Sequence, residues 1–471
     1  MAQLKQSKSG RSHKLVICEA AIIAYVAYFA ALGLKWLDII FSAHTSVTFF
    51  NVSIFTISVV LINLSVGLYE ERLRESFRGI IRRIFVSVIL SFFAVAIISN
   101  VLLPGFAPHP LYAPTAVPLI ILALVIFRYF IHNTDAFYKK PKILVLGAGV
   151  RASVIEKRMR RDVDRANFHL LGFVPVAGDD AQDGIQNEKR IELDMKGESS
   201  LQEFISENEV AEIIVACDQR RGTLPVKALF DARLKGVRIT DLLDFMERET
   251  GQITVDLMYP SWVMYSNGFQ SQNYFRELAD FWLNIGLAIL LLIVTWPIML
   301  ITAIIIYLDD GRRTGASVLY KQERVGKYGK SFYILKFRSM RPDAEKDGAK
   351  WASKDDNRVT KIGSFIRKYR IDELPQLFNV VKGEMSFIGP RPERPEFVEK
   401  LIKEVPYYEQ RHNVKPGLAG WAQLNYPYGA SVKDSLEKLK FDLYYVKHQS
   451  VLLDLLILVR TVEIILFGKG R

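Results

Sequence analysis

Cysteine and histidine are scarce in this chain, with two cysteines and seven histidines among 471 residues. Cys18 and Cys217 lie far apart, which excludes a disulfide framework, and with the scattered histidines they make no metal-ligand set. Cys18 stands in an apolar run and Cys217 directly after a strand-like one, so both read as small buried hydrophobes. Internal repeats and low-complexity tracts are also missing. No cleavable leader is evident: the basic start (Lys5, Lys8, Arg11, Lys14) enters an apolar run that three similar runs follow, which reads as a signal anchor. Acidic residues are in deficit, 50 against 62 basic ones. The net charge of +12 suits an anionic membrane surface, a phosphate-rich substrate or nucleic acid. Half of the residues are hydrophobic and 24% are charged, which points to apolar segments joined to soluble domains and not to one globule.

The long apolar runs cover residues 15–34, 49–68, 84–103 and 111–131, each of a length that spans a bilayer. Glu19 and Arg128 fall inside two of them, near the ends, where a long side chain can reach the interface. The loop between the second and third runs carries Arg72, Arg74, Arg78, Arg82 and Arg83 beside Glu70, Glu71 and Glu75, and Lys139, Lys140 and Lys142 follow the fourth. The other two loops hold Lys35 alone. This asymmetry predicts four transmembrane helices in residues 1–133, with the N-terminus and everything after about residue 133 in the cytoplasm.

Residues 140–270 alternate strand and helix patterns. Lys142-Ile143-Leu144-Val145-Leu146 reads as a buried parallel strand, and Gly147-Ala148-Gly149 turns into a helix near Arg151. Further strands are expected at 169–176, 211–215 and 237–240, which implies a Rossmann-like sheet. Gly147, Gly149 and Ala152 match the dinucleotide fingerprint only loosely. The second strand ends Phe173-Val174-Pro175-Val176 without the acidic ribose ligand, and Asp179 and Asp180 lie beyond a proline and a glycine. Tight strand-to-helix packing in a structural or regulatory domain accounts for these glycines better than a bound NAD.

A fifth apolar segment, 281–308, is interrupted by Pro297, which removes one helical hydrogen bond and clashes with the carbonyl of Ile293. A full crossing would carry residues 309–471, dense in Lys and Arg from Arg312 and Arg313 onward, to the other side. A re-entrant helix that bends at Trp296-Pro297 keeps them cytoplasmic. The apolar stretch 451–467, broken by Asp454, Arg460 and Glu463, reads as an amphipathic helix lying on the membrane.

The densest chemistry is Lys368-Tyr369-Arg370-Ile371-Asp372-Glu373-Leu374-Pro375-Gln376-Leu377-Phe378-Asn379, with Arg367 just before it. Of two adjacent carboxylates among cations, one can attack phosphorus and the other can hold a Mg²⁺ that neutralises a diphosphate. The cations are expected to depress the carboxylate pKa and to bind phosphate oxygens. Around the pair stand Gln322-Glu323-Arg324-Val325-Gly326, Lys336-Phe337-Arg338-Ser339-Met340, Arg358-Val359-Thr360-Lys361-Ile362-Gly363, Met385-Ser386-Phe387-Ile388-Gly389-Pro390-Arg391-Pro392 and Lys415-Pro416-Gly417-Leu418-Ala419-Gly420-Trp421.

With these motifs, residues 274–471 resemble the bacterial sugar transferases of the monotopic phosphoglycosyl transferase superfamily. The four helices and Rossmann-like domain ahead of them are similar to the large members that initiate exopolysaccharide or O-antigen synthesis. Residues 140–270, with Gln219-Arg220-Arg221-Gly222, resemble the exosortase-associated branch. The resemblance implies a membrane protein with an α/β catalytic domain carrying a re-entrant helix. It also implies transfer of a hexose-1-phosphate from a UDP-sugar, UDP-glucose or UDP-galactose favoured, to undecaprenyl phosphate with release of UMP. Asp372 would be the nucleophile and Glu373 the Mg²⁺ ligand. Arg367 would bind the polyprenyl phosphate. Lys336, Arg338, Arg391, Arg324 and Lys361 would bind substrate phosphates, and Pro297 would make the kink. Trp296 stands where many members have Ser before this proline, and Thr295 is the candidate to take over its hydrogen bond. The implied setting is the bacterial inner membrane and its lipids, with a homodimer and downstream glycosyltransferases as partners and no nucleic acid.

Two other classes stay open at this point. An NAD-dependent sugar-modifying enzyme would rest on the Gly147 loop, yet no Tyr-x-x-x-Lys pair follows it at a suitable distance. A nucleic-acid or membrane-binding scaffold would explain the charge but not a carboxylate pair set between arginines.

Overall fold

The computed structural model describes all residues except 1, 37–44, 66, 70–76, 98–111, 134–139, 160–161, 166–167, 180–183, 186–188, 194–197, 220–221, 260–261, 263–265, 267, 270–273, 345–356, 428, 430 and 467–471. Most of the charged loop before the third run, Lys139, Asp180 and the Arg220-Arg221 pair therefore lie outside the described residues. The chain divides into two compact units, Met1–Gly251 and Gln252–Arg471.

The first unit opens with helices α1 (Ala2–Trp36), α2 (Thr45–Ser65), α3 (Phe77–Ile97) and α4 (Tyr112–Asn133). Each occupies one of the apolar runs. Helix α1 lies against α2 and α4, and α3 against the same two, so the four close into a bundle. Among the described helices of this unit, Lys14–Gly33 and Pro114–Ile131 are long and apolar enough to cross a membrane, while Phe49–Leu64 is shorter. Glu19 and Arg128 do not reach out to an interface as the sequence suggests. They meet at 2.5 Å with Glu19 only 1% exposed, and the guanidinium sits over the Tyr69 ring. In an apolar bundle a partner of opposite charge is worth more than a long reach to water.

A parallel sheet of order β2-β1-β3-β4 follows, made of β1 (Lys142–Leu146), β2 (His169–Val174), β3 (Val210–Val215) and β4 (Arg238–Asp241). Its apolar strands pack on helices α6 (Glu198–Glu207) and α7 (Val226–Leu234), and α5 (Val150–Arg158) and α8 (Leu242–Thr250) complete the alternating βα segments. Gly147 between β1 and α5 has φ +121°, and a Cβ there would stand 2.6 Å from the Ala216 carbonyl carbon. Close approach to β3 thus demands glycine at this position. Cys217 is buried beside it, its thiol donating to the Leu146 carbonyl.

The second unit is organised around α9 (Tyr274–Ile306), which runs on through Pro297 and ends in a π-turn at Tyr307–Gly311. The segment Arg276–Asp309 is also long and apolar enough to cross a membrane. One side of α9 is exposed and apolar: Leu283, Leu290, Ile293, Trp296, Leu300 and Ile304. The other side packs on its own unit along the whole length. Leu287, Ala288, Leu291 and Leu292 join a core with Leu377, Val380, Phe387 and Tyr445, while Met299, Ala303 and Ile306 join one with Phe337 and Ile366. The Thr295 hydroxyl donates to the Leu291 carbonyl at 2.7 Å and not to that of Ile293, the one freed by the proline. A Ser or Thr hydroxyl in a helix reaches the carbonyl three or four residues back, so Thr295, only two residues after Ile293, cannot take over that hydrogen bond.

Beyond α9 stand an antiparallel hairpin, β5 (Leu319–Val325) with β6 (Ser331–Phe337), helix α10 (Lys361–Lys368), a 3₁₀ segment Ile371–Gln376, and α11 (Leu377–Val381). They are followed by β7 (Ser386–Ile388), α12 (Pro395–Glu404), a 3₁₀ segment Tyr408–Asn413, β8 (Gly417–Ala419) paired with β7, and α13 (Trp421–Asn425). Helices α14 (Val432–His448) and α15 (Val451–Leu466) close the unit. Residues 253–256 belong with α14: Ile253 N–H donates to the Lys440 carbonyl and Lys440 Nζ meets Asp256 at 2.5 Å.

Candidate active site

Helix α10 is started by Thr360, whose hydroxyl accepts the Gly363 N–H at 2.8 Å. It ends at a residue in the left-handed region, Arg370, at φ 57°. A non-glycine residue held there is a local strain found at functional sites. The turn it makes launches the 3₁₀ segment with Asp372 and Glu373 in its first turn, facing β6.

Glu373 Oε1 collects three cations: Arg391 Nη2 at 3.0 Å, Arg370 Nη1 at 3.3 Å and Lys336 Nζ at 3.7 Å. Burial alone would raise its pKa, but these neighbours win and hold it at about 2. Asp372 goes the other way. Burial, with Glu373 next, pushes its carboxyl above the ordinary value against the pull of Lys336, Arg367 and Arg370. The expectation that the cations depress the nucleophile is therefore corrected. They concentrate on Glu373, and Asp372, 7% exposed, pays the desolvation that the sequence does not display. Its Oδ1 is buried with no hydrogen-bond partner, as is Nη1 of Arg367. Lys336 is lowered to about 8, by burial first, opposed by Glu373 and helped by Arg391. Arg324 is lowered to about 10 by burial, with Arg391 and Arg394 adding to the shift against Glu393.

Of the predicted site residues, the structure brings Asp372, Glu373, Lys336, Arg367 and Arg391 together, with Arg324 among the charges around Arg391. Arg338 is buried and donates to the Ser317 carbonyl at 2.6 Å, and Lys361 is the exposed first residue of α10. Pro297 lies in α9, its neighbours Met299 and Ala303 on the core under α10. Asn379, the last residue of the dense cluster, has a role that sequence reasoning missed: wholly buried, it takes the Leu335 N–H on Oδ1 and donates to Tyr333 O and Glu384, locking β6 to α11. Sequence reasoning also missed the buried pair Arg411 and Asp442, at 2.8 Å. A helix that binds Mg²⁺ usually offers one or two carboxylates and leaves the rest to phosphates and water. The adjacent Asp372 and Glu373, one with an unpartnered buried oxygen, fit that share; no larger His, Cys, Asp and Glu cluster is found among the described residues.

The glycine loop of the first unit is arranged differently. Asp218 takes the Val150 and Arg151 N–H groups at 2.9 and 2.8 Å. Asp179 takes those of Ala148 and Val176 on one oxygen and that of Asp218 on the other. The amides that would meet a pyrophosphate at this helix start are thus filled by the chain's own carboxylates.

Residues 275–468 match the family model described as bacterial sugar transferase. The chain is 48% identical over 174 residues to the UDP-N-acetylgalactosamine-undecaprenyl-phosphate N-acetylgalactosaminephosphotransferase of Aeromonas hydrophila, covering 37% of this chain and 40% of that one. It is 55% identical over 137 residues to a putative undecaprenyl-phosphate N-acetylgalactosaminyl 1-phosphate transferase of Bacillus subtilis, 29% of this chain and 72% of that one. The UDP-glucose:undecaprenyl-phosphate glucose-1-phosphate transferase of Escherichia coli is 31% identical over 343 residues, 69% of this chain and 68% of its own length. The match spans less than half of the Aeromonas enzyme but about two thirds of the Escherichia one. The chain belongs to the bacterial sugar transferase family.

Proposed function

We propose that this chain transfers a hexose-1-phosphate from a UDP-sugar to undecaprenyl phosphate, through a covalent intermediate on Asp372, and so starts an exopolysaccharide repeat unit for later glycosyltransferases. The observation that carries this reading is the Asp372 Oδ1 oxygen, buried without a partner beside Lys336, Arg367 and Arg370. An ionised carboxylate with no hydrogen bond to break is a ready nucleophile. It attacks the sugar-linked phosphorus of the donor. The bond to the bridging oxygen breaks, UMP leaves with the electron pair, and a mixed carboxylic–phosphoric anhydride remains on Asp372. The oxygen of undecaprenyl phosphate then attacks the same phosphorus and returns the carboxylate. Burial of Asp372 protects this anhydride from water in the interval. Lys336, Arg391 and Arg324 offer charge to the donor diphosphate, and Arg367 to the lipid phosphate. Glu373, with Asp372 beside it, would hold Mg²⁺ together with donor phosphates, and the ion would offset diphosphate charge and ease departure of UMP.

The donor is taken as UDP-glucose or UDP-galactose, because the relative that covers both units is named for UDP-glucose. UDP-N-acetylgalactosamine is the competing arm, from the relatives matched over 174 and 137 residues. Purified full-length protein incubated with UDP-glucose alone should gain the mass of a hexose phosphate, and the Asp372→Asn variant should not. Sequential kinetics, no adduct and an active Asp372→Asn chain would leave direct attack by the lipid as the mechanism.

The same reading places four transmembrane helices and a re-entrant α9 in the bacterial inner membrane, with the catalytic unit cytoplasmic. Its support is that α9 packs on one unit from both sides of Pro297 while exposing an apolar flank; a helix crossing the bilayer could rest only one end on a soluble domain. In a Cys18→Ser, Cys217→Ser background, cysteines at Leu234 and Glu399 should both resist an impermeant thiol reagent in intact cells. Labelling at 399 but not 234 would establish a full crossing.

A further inference from the structure

The turn Gly389-Pro390-Arg391-Pro392 after β7 carries Arg391, and its carbonyls are tied down in succession. Gly417 N–H donates to Pro390 O at 3.0 Å, Arg411 Nη2 to Arg391 O at 2.9 Å, and Val325 N–H to Glu393 O at 3.0 Å. Two of these ties are backbone amides; the one at Arg391 is a side chain. Arg411 Nη2 also meets Asp442 Oδ2 of α14 at 2.8 Å, and its Nη1 donates to the Tyr408 hydroxyl at 2.6 Å. The side chains of Arg411 and Asp442 are 6% and 3% exposed.

A buried ion pair seldom stabilises a fold more than apolar residues of the same volume, so its retention needs another reason. Here the guanidinium fork joins three separate pieces of chain, and one of its bonds ends on the backbone of a residue in the site. We infer that Arg411, held by Asp442 and Tyr408, is a positioning residue that fixes the Arg391 backbone so that the Arg391 side chain meets Glu373 and the incoming phosphates. The inference rests on the reading of the Asp372–Glu373 cluster as the reaction centre. Arg411 touches no reacting atom; it works through Arg391. Lysine in its place keeps the charge but cannot serve Tyr408, Asp442 and Arg391 with one planar fork.

The test is a double-mutant cycle on the full-length protein, reading UMP release from UDP-sugar and undecaprenyl phosphate. Arg411→Lys should lower kcat/KM by about tenfold to a hundredfold, the scale of an ångström-sized misplacement of a catalytic group. In an Arg391→Ala background the same change should lower it by less than about threefold, because the residue it positions is gone. Tyr408→Phe removes one hydroxyl and keeps the packing, so it serves if Arg411→Lys does not fold. Its smaller loss should likewise vanish in the Arg391→Ala background. Losses that multiply unchanged in that background, or an Arg411→Lys enzyme as active as the wild type, would overturn the inference and leave Arg411 a structural strut. A wild-type protein that releases UMP from no UDP-sugar would instead overturn the reaction centre itself, and the inference with it.

Discussion

Acidic side chains meet loops that could handle phosphate in both units, and the two encounters end differently. At the Gly147–Gly149 loop, Asp179 and Asp218 use their oxygens on backbone amides, and the helix start is satisfied from within. In the second unit, one oxygen of Glu373 is shared by three cations while its neighbour Asp372 keeps a buried oxygen with no partner, beside an arginine nitrogen in the same condition. Native proteins leave few buried polar atoms unsatisfied, so the contrast sorts the two places by use. A completed hydrogen-bond set holds a fold. An incomplete one waits for a ligand or does chemistry.

The most severe way to break this comparison is Asp372→Asn. It preserves shape and removes the proposed nucleophile, so turnover measured by UMP release should fall by about 10⁴-fold or more. Activity within tenfold of the wild type would mean that the unpartnered oxygen is an accident of packing. Glu373→Gln is next. It leaves Arg391, Arg370 and Lys336 without their shared anion, and kcat should drop by about a hundredfold while the Mg²⁺ concentration for half-maximal rate rises. An unchanged Mg²⁺ dependence would take Glu373 out of metal binding.

A smaller and graded effect is expected from pH. As the proposed nucleophile Asp372 would have to be ionised to attack, and its pKa is raised, so the acid limb of kcat/KM should lie above the 3.8 of an ordinary aspartate. Lys336 sits at about 8, so a rate that needs its ammonium should decline above that pH. Stability runs on a different group. Glu373 is depressed from 4.5 to about 2, so its stabilising contribution is complete above 4.5 and is lost as the pH falls toward 2. By the shift this is at most about 3 kcal/mol. Asp372 carries the opposite sign, since its raised pKa favours the folded state when protonated. Melting curves between pH 3 and 7 for wild type and Glu373→Gln separate the two.

How much of this the sequence displays follows from distance along the chain. The strand Lys142–Leu146, the glycine turn after it and the 372–373 pair among cations are all local patterns, and each is found where its pattern puts it. The direction of the Asp372 shift is not local. It depends on the burial of Asp372 where its segment packs on β6, and burial appears in no window of residues. Arg411 and Asp442 each look like one more charge on a solvated helix face, and only the fold reveals that they share a wall. Asp218 lies 67 residues after Arg151 in the helix it caps, beyond any capping signature that sequence spacing could expose.

The mildest change sharpens the comparison from the other side, at Asp218. Its carboxylate answers two of the amides at the start of α5 and complements the positive end of that helix. Asp218→Ala strands both amides and should lower the stability of the first unit by about 1–3 kcal/mol, visible as an earlier melting transition. Turnover should stay within about threefold of wild type, because lost cap energy is spent on folding and not on the transition state. NADH should shift neither melting curve. In the wild type the amides are already bound, and in the variant Asp179 still occupies the Ala148 and Val176 N–H groups and repels a pyrophosphate. A wild-type protein that retained stoichiometric NADH through purification would mean that both carboxylates swing away for a ligand. The loop would then be a binding site that the chain keeps closed, and the two encounters would differ in occupancy alone.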